Sequence, residues 1–328
     1  MKVGVIGAGA VGGTIAALLH REGHEVEVTA RGENLTSIQS SGIHLSGAWG
    51  NYTAAVSAHR VLTQAPELVI VATKTLDADE AVRENADIMQ GVPVVIVQNG
   101  IQAVRAAKAI LPRSDIVGGL ALFAASYLSP GTIAVTTPGS TYLGNDGSGL
   151  DVDYAAGVLE SIMPVKTTQN FAGAQWTKLI VNQINALPAV TGLSAQATIA
   201  DRQLRRVLTL SMQEAVAVAL ASGVKFEKMQ GLSHGILRLF SRLPFAFAQF
   251  LPLVMKWRMG GTPNPGSTLQ SIRRGQKTEI DYLNGAIVNA AIEANSTAPI
   301  NALLVELVHD VESTGTFFTV DQVVARLP

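Results

Sequence analysis

The first thirteen residues, MKVGVIGAGAVGG, constrain the fold more than any other stretch of the chain. Residues 2–6 read as a short apolar strand, Gly7-Ala8-Gly9-Ala10-Val11-Gly12 as a turn, and residues 14–21 as a helix of small and aliphatic side chains. A Gly-x-Gly-x-x-Gly turn between a strand and a helix is the fingerprint of a dinucleotide-binding crossover. Its first glycine permits the tight turn, the second lets the backbone approach a pyrophosphate, and the third lets the helix pack closely on the strand. The helix N-terminus then offers its unpaired N–H groups to the phosphates. Glycine-rich turns are common in isolation, so the information lies in the flanking strand and helix.

At 328 residues the chain is about twice the length of a typical domain, which predicts two. Its 24 basic and 25 acidic residues nearly balance, so nothing points to a nucleic-acid partner. The absence of cysteine excludes disulfides, thiolate catalysis and cysteine-based zinc sites. The six histidines, His20, His24, His44, His59, His234 and His309, show no metal-ligand spacing, and no metal is expected. The N-terminal apolar residues already belong to the nucleotide strand, and a glycine turn interrupts them. A secretory signal is therefore not expected, and the expectation is a soluble, cytoplasmic protein. One segment strains that expectation. Residues 235–257, GILRLFSRLPFAFAQFLPLVMKW, are rich in Leu, Phe and Val but broken by Arg238, Arg242, Pro244 and Pro252. The run free of charge is only about a dozen residues, too short for a bilayer span, which needs about 20. It is expected to form a buried or oligomer-facing helical hairpin, with attachment to a membrane surface as the alternative.

Further along, apolar runs and helical spacing alternate through the first half. Strands are predicted over residues 25–29, 43–45, 53–56, 68–72, 94–97, 116–120, 132–136 and 141–143 and near Val165, with a helix over 154–162. The alternation predicts a doubly wound α/β sheet, with 43–45 and 53–56 as a hairpin-like excursion. A linker is expected near residues 168–172, separating a nucleotide-binding domain (1–168) from an all-helical domain (169–328) with an apolar insertion near 235–258. Helical spacing in that second half covers 174–186, 202–222, 268–294, 302–313 and 321–326.

Candidate functional residues lie at the carboxyl ends of the predicted strands, where an open parallel sheet binds its ligands. The second strand ends at Arg31, where an NAD-binding domain normally carries an acidic residue for the adenine ribose. A guanidinium there suits a ribose 2′-phosphate and so favours NADPH; the alternative is a solvated surface arginine. Lys74 follows the 68–72 strand and Asn99 the 94–97 strand. Each could meet a cofactor, or serve only as a helix-entry lysine and a turn former. In the second half, Lys178 and Asn182 lie four apart on one helical face of Trp-Thr-Lys-Leu-Ile-Val-Asn. A lysine on an otherwise apolar helix is either desolvated, which makes it a better acid near neutrality, or snorkels to water. A helix is predicted to start at Ser267 and continue through Thr278-Glu279-Ile280-Asp281-Tyr282, whose charges read equally well as a solvated face.

Taken together, these motifs resemble the ketopantoate reductase (2-dehydropantoate 2-reductase) family. Its pattern is an N-terminal Gly-x-Gly-x-x-Gly, a lysine after a following strand, Gln-Asn-Gly after the next, a Lys-x-x-x-Asn helix, and a serine followed by Thr-Glu-Ile-Asp-Tyr-x-Asn-Gly. All occur here in order, across nearly the whole chain. The resemblance implies a Rossmann domain followed by a helical domain of the 6-phosphogluconate dehydrogenase type, reducing ketopantoate to pantoate with NADPH on the route to pantothenate and coenzyme A. It also implies Lys178 as general acid and Glu279 as its orienting partner, with Glu279 reaching the cofactor side as well. Asn182 and Ser267 would hold the substrate, Asn99 would touch both substrate and cofactor, and Lys74, Arg31 and the 7–12 turn would face NADPH. Asn185 is carried over with the substrate-binding set, although it stands one position from the family's usual asparagine. The lengthened apolar segment leaves open another branched or aromatic 2-oxo acid as substrate. A non-catalytic NADPH sensor is a more distant alternative, and self-association as a homodimer is left open.

Overall fold

The computed structural model of the chain describes residues 1–145 and 150–328. Its contacts divide it into two units, Met1–Phe171 and Ala172–Pro328.

The first unit is built on β1 (Lys2–Ile6), β2 (Glu25–Thr29), β3 (Ile43–Gly47), β4 (Tyr52–Ala54), β5 (Ser57–His59), β6 (Leu68–Val71), β7 (Val94–Val97), β8 (Ile116–Ala121), β9 (Ala124–Ser129), β10 (Thr132–Thr137), β11 (Thr141–Gly144) and β12 (Val165–Thr168). Eight of them form one sheet in the order β12-β11-β8-β7-β6-β1-β2-β5. Every neighbouring pair is parallel except β11 with β8. Between them run α1 (Ala10–Arg21), α2 (Gly32–Ser41), α3 (Thr75–Glu84), the single turn α4 (Ala86–Met89), α5 (Ala103–Ile110) and α6 (Leu150–Glu160). The central strands are continuous apolar runs because both faces are covered. Alternate residues then enter opposite cores. Val3, Val5, Leu68, Ile70, Val95 and Val97 pack toward Ile15, Leu18 and Leu19 of α1. Ile6, Val69, Val71, Val94 and Ile96 pack toward Val82, Met89 and Leu111 on the other side.

The expected excursion over 43–56 does pair as a hairpin, β3 with β4, but it is not isolated. It joins β10 and β9 in a second sheet, β4-β3-β10-β9, that packs on α1. Sequence alternation could locate β10 but not its partner, and it missed β9 and β5 altogether, because short strands carry little periodic signal. Helix α1 thus lies between two sheets, and its consecutive glycines serve one each. A Cβ on Gly12 would collide with the Gly7 carbonyl, and one on Gly13 would collide with Ile133 of the second sheet. Gly7 itself has φ +94, and a Cβ there would fall 2.8 Å from the Thr73 backbone nitrogen. Around Gly9, by contrast, there is open space.

The second unit is helical. It comprises α7 (Phe171–Asn182, whose first residue belongs to the first unit), a 3₁₀ turn (Gln183–Asn185), α8 (Ala186–Thr191), α9 (Ala195–Ala200), α10 (Arg202–Ala221), α11 (His234–Phe240), α12 (Phe245–Ala248), α13 (Phe250–Arg258), α14 (Gly266–Arg273), α15 (Asn284–Glu293), α16 (Pro299–Thr314) and α17 (Val320–Ala325). The longest, α10, starts at Asp201, whose side chain accepts hydrogen bonds from Gln203 N (2.8 Å) and Leu204 N (2.9 Å). It buries Leu204, Val207, Leu208, Ser211, Met212, Ala215 and Ala219 against α15 and α16.

Three sequence expectations are corrected here. The helix expected over 174–186 loosens into the 3₁₀ turn after Asn182. The continuous helix expected over 268–294 does not form. α14 stops at Arg273, Gly275 takes φ +63, and Glu279 lies on a non-helical segment before α15. A left-handed glycine ends a helix that side-chain spacing alone would continue. The apolar segment is three short helices rather than a buried hairpin, since Pro244 and Pro252 each sit at or within the first turn of a helix and mark new starts. Its residues Leu239, Phe247 and Phe250 are about 60 % exposed and Trp257 80 %. Among the described residues, no helix is long and apolar enough to cross a membrane.

The two loop glycines should separate by stability. Gly12→Ala forces α1 away from Gly7 and is expected to destabilise the first unit by about 1–3 kcal/mol, whereas Gly9→Ala should leave the melting temperature unchanged. Thermal unfolding of the two variants beside wild type is the check; equal melting temperatures would show that α1 does not need this close approach.

Candidate active site

In the first unit, the carboxyl ends of four adjacent parallel strands, β2, β1, β6 and β7, carry Arg31, the 7–12 turn, Lys74 and Asn99 respectively. Strand order reverses between β1 and β6, which is where an open α/β sheet leaves its ligand crevice. The loops are tied together. Gly7 N donates to Thr29 Oγ1 (3.1 Å) and Ala8 N to Thr29 O (3.0 Å), joining the glycine turn to β2. Gln98 Nε2 donates to Thr73 O at 3.0 Å, and Thr75 Oγ1 to Asn99 O at 3.4 Å, joining the ends of β6 and β7. Asn34, which sequence reasoning passed over, pins the turn from the other side. Its Nδ2 donates to Ala8 O (2.9 Å) while its Oδ1 accepts from Gly131 N (2.9 Å) of the second sheet.

These features fit a dinucleotide. Helix α1 has no side-chain cap at its N-terminus, so its first-turn N–H groups point into the space beside Gly9, where a Cβ would meet nothing. Gln98 is buried, and its Oε1 has no hydrogen-bond partner among the described residues. A polar atom buried beside Thr73 and Asn99 without a partner is costly unless a ligand or water supplies one. In the sequence, Gln98 stands out only as part of Gln-Asn-Gly; the signal for it is a glutamine closing the apolar Val-Val-Ile-Val run. Arg31 is half-exposed and ion-paired, its guanidinium 2.9 Å from Glu84 and 3.3 Å from Glu80 of α3. The hydrogen bond to Glu84 raises its pKa further. Arg60 approaches the same Glu84 at 3.4 Å.

In the second unit, α7 carries Lys178 and Asn182 one turn apart. Buried Leu179 and Ile180 fix the roll of the helix. Thr177, fully buried, anchors it through Oγ1, which lies 2.8 Å from Gly173 O and 2.9 Å from Glu227 O. Burial pulls the Lys178 ammonium down to about 8, against the opposing pull of the Glu279 carboxylate. Lys178 and Glu279, far apart in sequence, are therefore electrostatically coupled. A cation held near this value is mostly protonated at pH 7 yet far more acidic than a solvated lysine. The 3₁₀ turn after α7 presents Asn185, whose Oδ1 would be 2.6 Å from a Cβ on Gly266. Only glycine, at φ +70, lets the start of α14 come this close, and Ser267 follows it at an exposed position.

What holds that turn was not foreseen. Gln183, Ser211, Asn284 and Asn301 are fully buried beneath it. Asn284 Nδ2 donates to Gln183 Oε1 (2.8 Å) and Asn301 Oδ1 (3.1 Å), and Asn301 Nδ2 donates to Glu214 Oε2 at 2.8 Å. Glu214 also accepts from the backbone nitrogens of Ile300 (2.9 Å) and Asn301 (3.0 Å) at the start of α16. The signal was present in sequence as asparagines on the apolar faces of α15 and α16. The histidines do structural work: His20 Nδ1 lies 2.8 Å from Tyr52 Oη, and His309 bridges Asp281 (2.9 Å) and Glu312 (2.8 Å).

Comparison with known proteins places these two units in a shared context. Residues 3–147 match the family model described as ketopantoate reductase PanE/ApbA, and residues 170–312 match that described as ketopantoate reductase PanE/ApbA C terminal. The 2-dehydropantoate 2-reductase of Pyrococcus horikoshii is 28% identical over 320 residues, covering 96% of this chain and 99% of that protein. That of Archaeoglobus fulgidus is 26% identical over 322 residues, covering 95% and 98%. Among solved structures, a PanE/ApbA family ketopantoate reductase from Ralstonia eutropha JMP134 has a TM-score of 0.81 at 28% identity, covering 95% of this chain and 99% of that one. D-mandelate dehydrogenase with NADH and anilino(oxo)acetate shares the fold at 20% identity and a TM-score of 0.80, covering 96% and 99%.

The buried amide network yields a stability test. Asn284→Ala removes the donor to both Gln183 and Asn301 and is expected to cost about 1–3 kcal/mol, read as a lower urea midpoint. An unchanged midpoint would mean that the network does not support the 3₁₀ turn.

Proposed function

The chain belongs to the ketopantoate reductase family, a family of oxidoreductases acting on CH–OH groups, and on that premise we propose that it reduces ketopantoate to (R)-pantoate with NADPH. The observation that carries this reading is the partly buried lysine with a lowered pKa, electrostatically coupled to a carboxylate, Lys178 with Glu279. Reduction of a ketone needs a proton at the oxygen as hydride reaches the carbon, and an acid poised near neutrality meets that need. Bound NADPH supplies the hydride. Lys178 Nζ donates a proton to the ketone oxygen and is reprotonated from solvent. Glu279 orients Lys178 and accepts a hydrogen bond from a substrate hydroxyl. Asn182, Asn185 and Ser267 hold the substrate carboxylate and neighbouring polar groups.

The cofactor is held by the turn Gly7-Ala8-Gly9-Ala10-Val11-Gly12, whose backbone receives the pyrophosphate, and by Lys74 and Asn99 at the strand ends. Arg31 exchanges Glu80 and Glu84 for the ribose 2′-phosphate, a dianionic partner for a guanidinium. The product enters pantothenate and coenzyme A synthesis in the cytoplasm. The test is NADPH oxidation by the purified protein with ketopantoate, beside a panel of branched and aromatic 2-oxo acids. Turnover strongest on another 2-oxo acid would retain the chemistry and replace the substrate. Cofactor binding without turnover of any of them would favour a sensor.

Lys178→Ala is expected to lower kcat by about 10²–10⁴-fold while leaving NADPH binding nearly intact; wild-type rates in this variant would remove Lys178 from the mechanism. The acid must be protonated to act, so kcat/KM for reduction should be highest below the Lys178 pKa and fall as pH rises through about 8. A profile flat through that range contradicts the assignment. Arg31→Ala should weaken NADPH by about tenfold or more and NADH far less. Equal losses would mean that Arg31 does not read the 2′-phosphate.

A further inference from the structure

The apolar segment combines two features that the reductase reading does not use. Between Glu227 and Glu279 the chain has eight Lys and Arg residues and no Asp or Glu. The remainder, with 16 basic and 25 acidic residues, carries a net charge of −9. Four of the eight, Arg238, Arg242, Lys256 and Arg258, fall within the span of α11–α13, which makes that stretch locally basic on a chain whose remainder is acidic.

The helices in this stretch are also amphipathic in the unusual sense. Leu237 and Phe240 of α11, Ala248 of α12 and Pro252 of α13 are buried, and all three helices pack on α10. Their opposite faces, which water would normally claim, carry Leu239, Phe247, Phe250, Val254 and Trp257, all exposed. On α13 the exposed residues Phe250, Val254 and Trp257 fall four and then three positions apart, a single stripe along one helix face. Exposed Arg238, Arg242 and Arg258 flank these apolar side chains. Arg258 is held in place, donating from Nη1 to Gln230 O at 2.6 Å.

We propose that the outward face of α11–α13 docks the protein on the surface of an anionic lipid bilayer. Phe250 and Trp257 enter the headgroup boundary, where amphipathic aromatic rings are most stable, while the arginines engage lipid phosphates. The helices are too short to cross, so the protein lies on the membrane rather than in it. The charge pattern selects this occupant over a second copy of the chain. A two-fold interface lays a patch against itself, and this segment holds no carboxylate to meet its own arginines. This inference stands apart from the reductase assignment, and reductase turnover in the same samples reports the active site independently.

The experiment is flotation of the full-length protein with phosphatidylcholine vesicles, with and without phosphatidylglycerol. Wild type should float only with phosphatidylglycerol vesicles and be released by added salt. Phe250→Ser with Trp257→Ser, and separately Arg238→Gln with Arg242→Gln, should each reduce the bound fraction by about tenfold, with the melting temperature and reductase rate retained. Trp257 emission should shift to the blue on vesicle addition and lose that shift in Trp257→Phe. Protein left at the bottom with anionic vesicles at low salt overturns the proposal, as does flotation that neither double variant reduces. Wild type sedimenting as a dimer that Phe250→Ser with Trp257→Ser dissociates would assign the face to self-association instead. Binding to soluble polyglutamate without vesicle binding would assign it to an acidic protein.

Discussion

The close approach of α1 to the sheet beneath it governs the first unit. The helix sits so near β1 that Gly12 contacts the Gly7 carbonyl, and so near the second sheet that Gly13 faces Ile133. With no side chain at either position, the N-terminus of α1 points its N–H groups into the open space at Gly9. Core packing and a few hydrogen bonds hold that arrangement. The apolar runs of β1, β6 and β7 bury both faces of the sheet, Thr29 and Asn34 tie the turn to its neighbours, and Gln98 locks the adjoining strand ends together. A helix end offered to an anion, as proposed for the cofactor's pyrophosphate, works only if its position is fixed, because the N–H groups must be aimed before the phosphate arrives.

The second unit solves a different problem, that of keeping a lysine partly out of water while leaving it charged. Desolvation alone would drive Lys178 toward the neutral amine, and Glu279 opposes that drift. The balance leaves an ammonium that is present at neutral pH and still willing to release its proton. The supporting frame is polar as well. Gln183, Ser211, Asn284 and Asn301 form a buried amide and hydroxyl cluster under the turn that presents Asn185. An apolar core could fill the same volume, but hydrogen bonds specify one orientation of that turn where packing would tolerate several. The same unit carries its apolar outward face on three short helices, anchored to α10 by only a few buried side chains.

Much of this could be read before any coordinates. The glycine turn, the apolar strands and the Lys-x-x-x-Asn helix are local patterns, and each formed where its spacing put it. Failures came where a tertiary partner or a single backbone torsion decided the outcome. The excursion over 43–56 found β10 as a parallel partner far along the chain, a pairing that no local pattern records. Gly275 in the left-handed region separated α14 from the Glu279 segment, although side-chain spacing alone favoured one helix. Prolines divided the apolar segment into pieces too short to bury all of their greasy residues.

Sequence alone determined the class of fold, the glycine turn between β1 and α1 and the resemblance that singled out Lys178, Asn182, Ser267 and Glu279, because these depend on residue type and on spacing over a few turns. Tertiary structure decided the rest. It paired Arg31 with Glu80 and Glu84, left Gln98 Oε1 buried without a partner, coupled Lys178 to Glu279 and turned Phe250 and Trp257 to the outside. Each of these is a matter of which distant groups surround a side chain. Desolvation, charge coupling and exposure follow from three-dimensional neighbours, and one-dimensional order does not contain them.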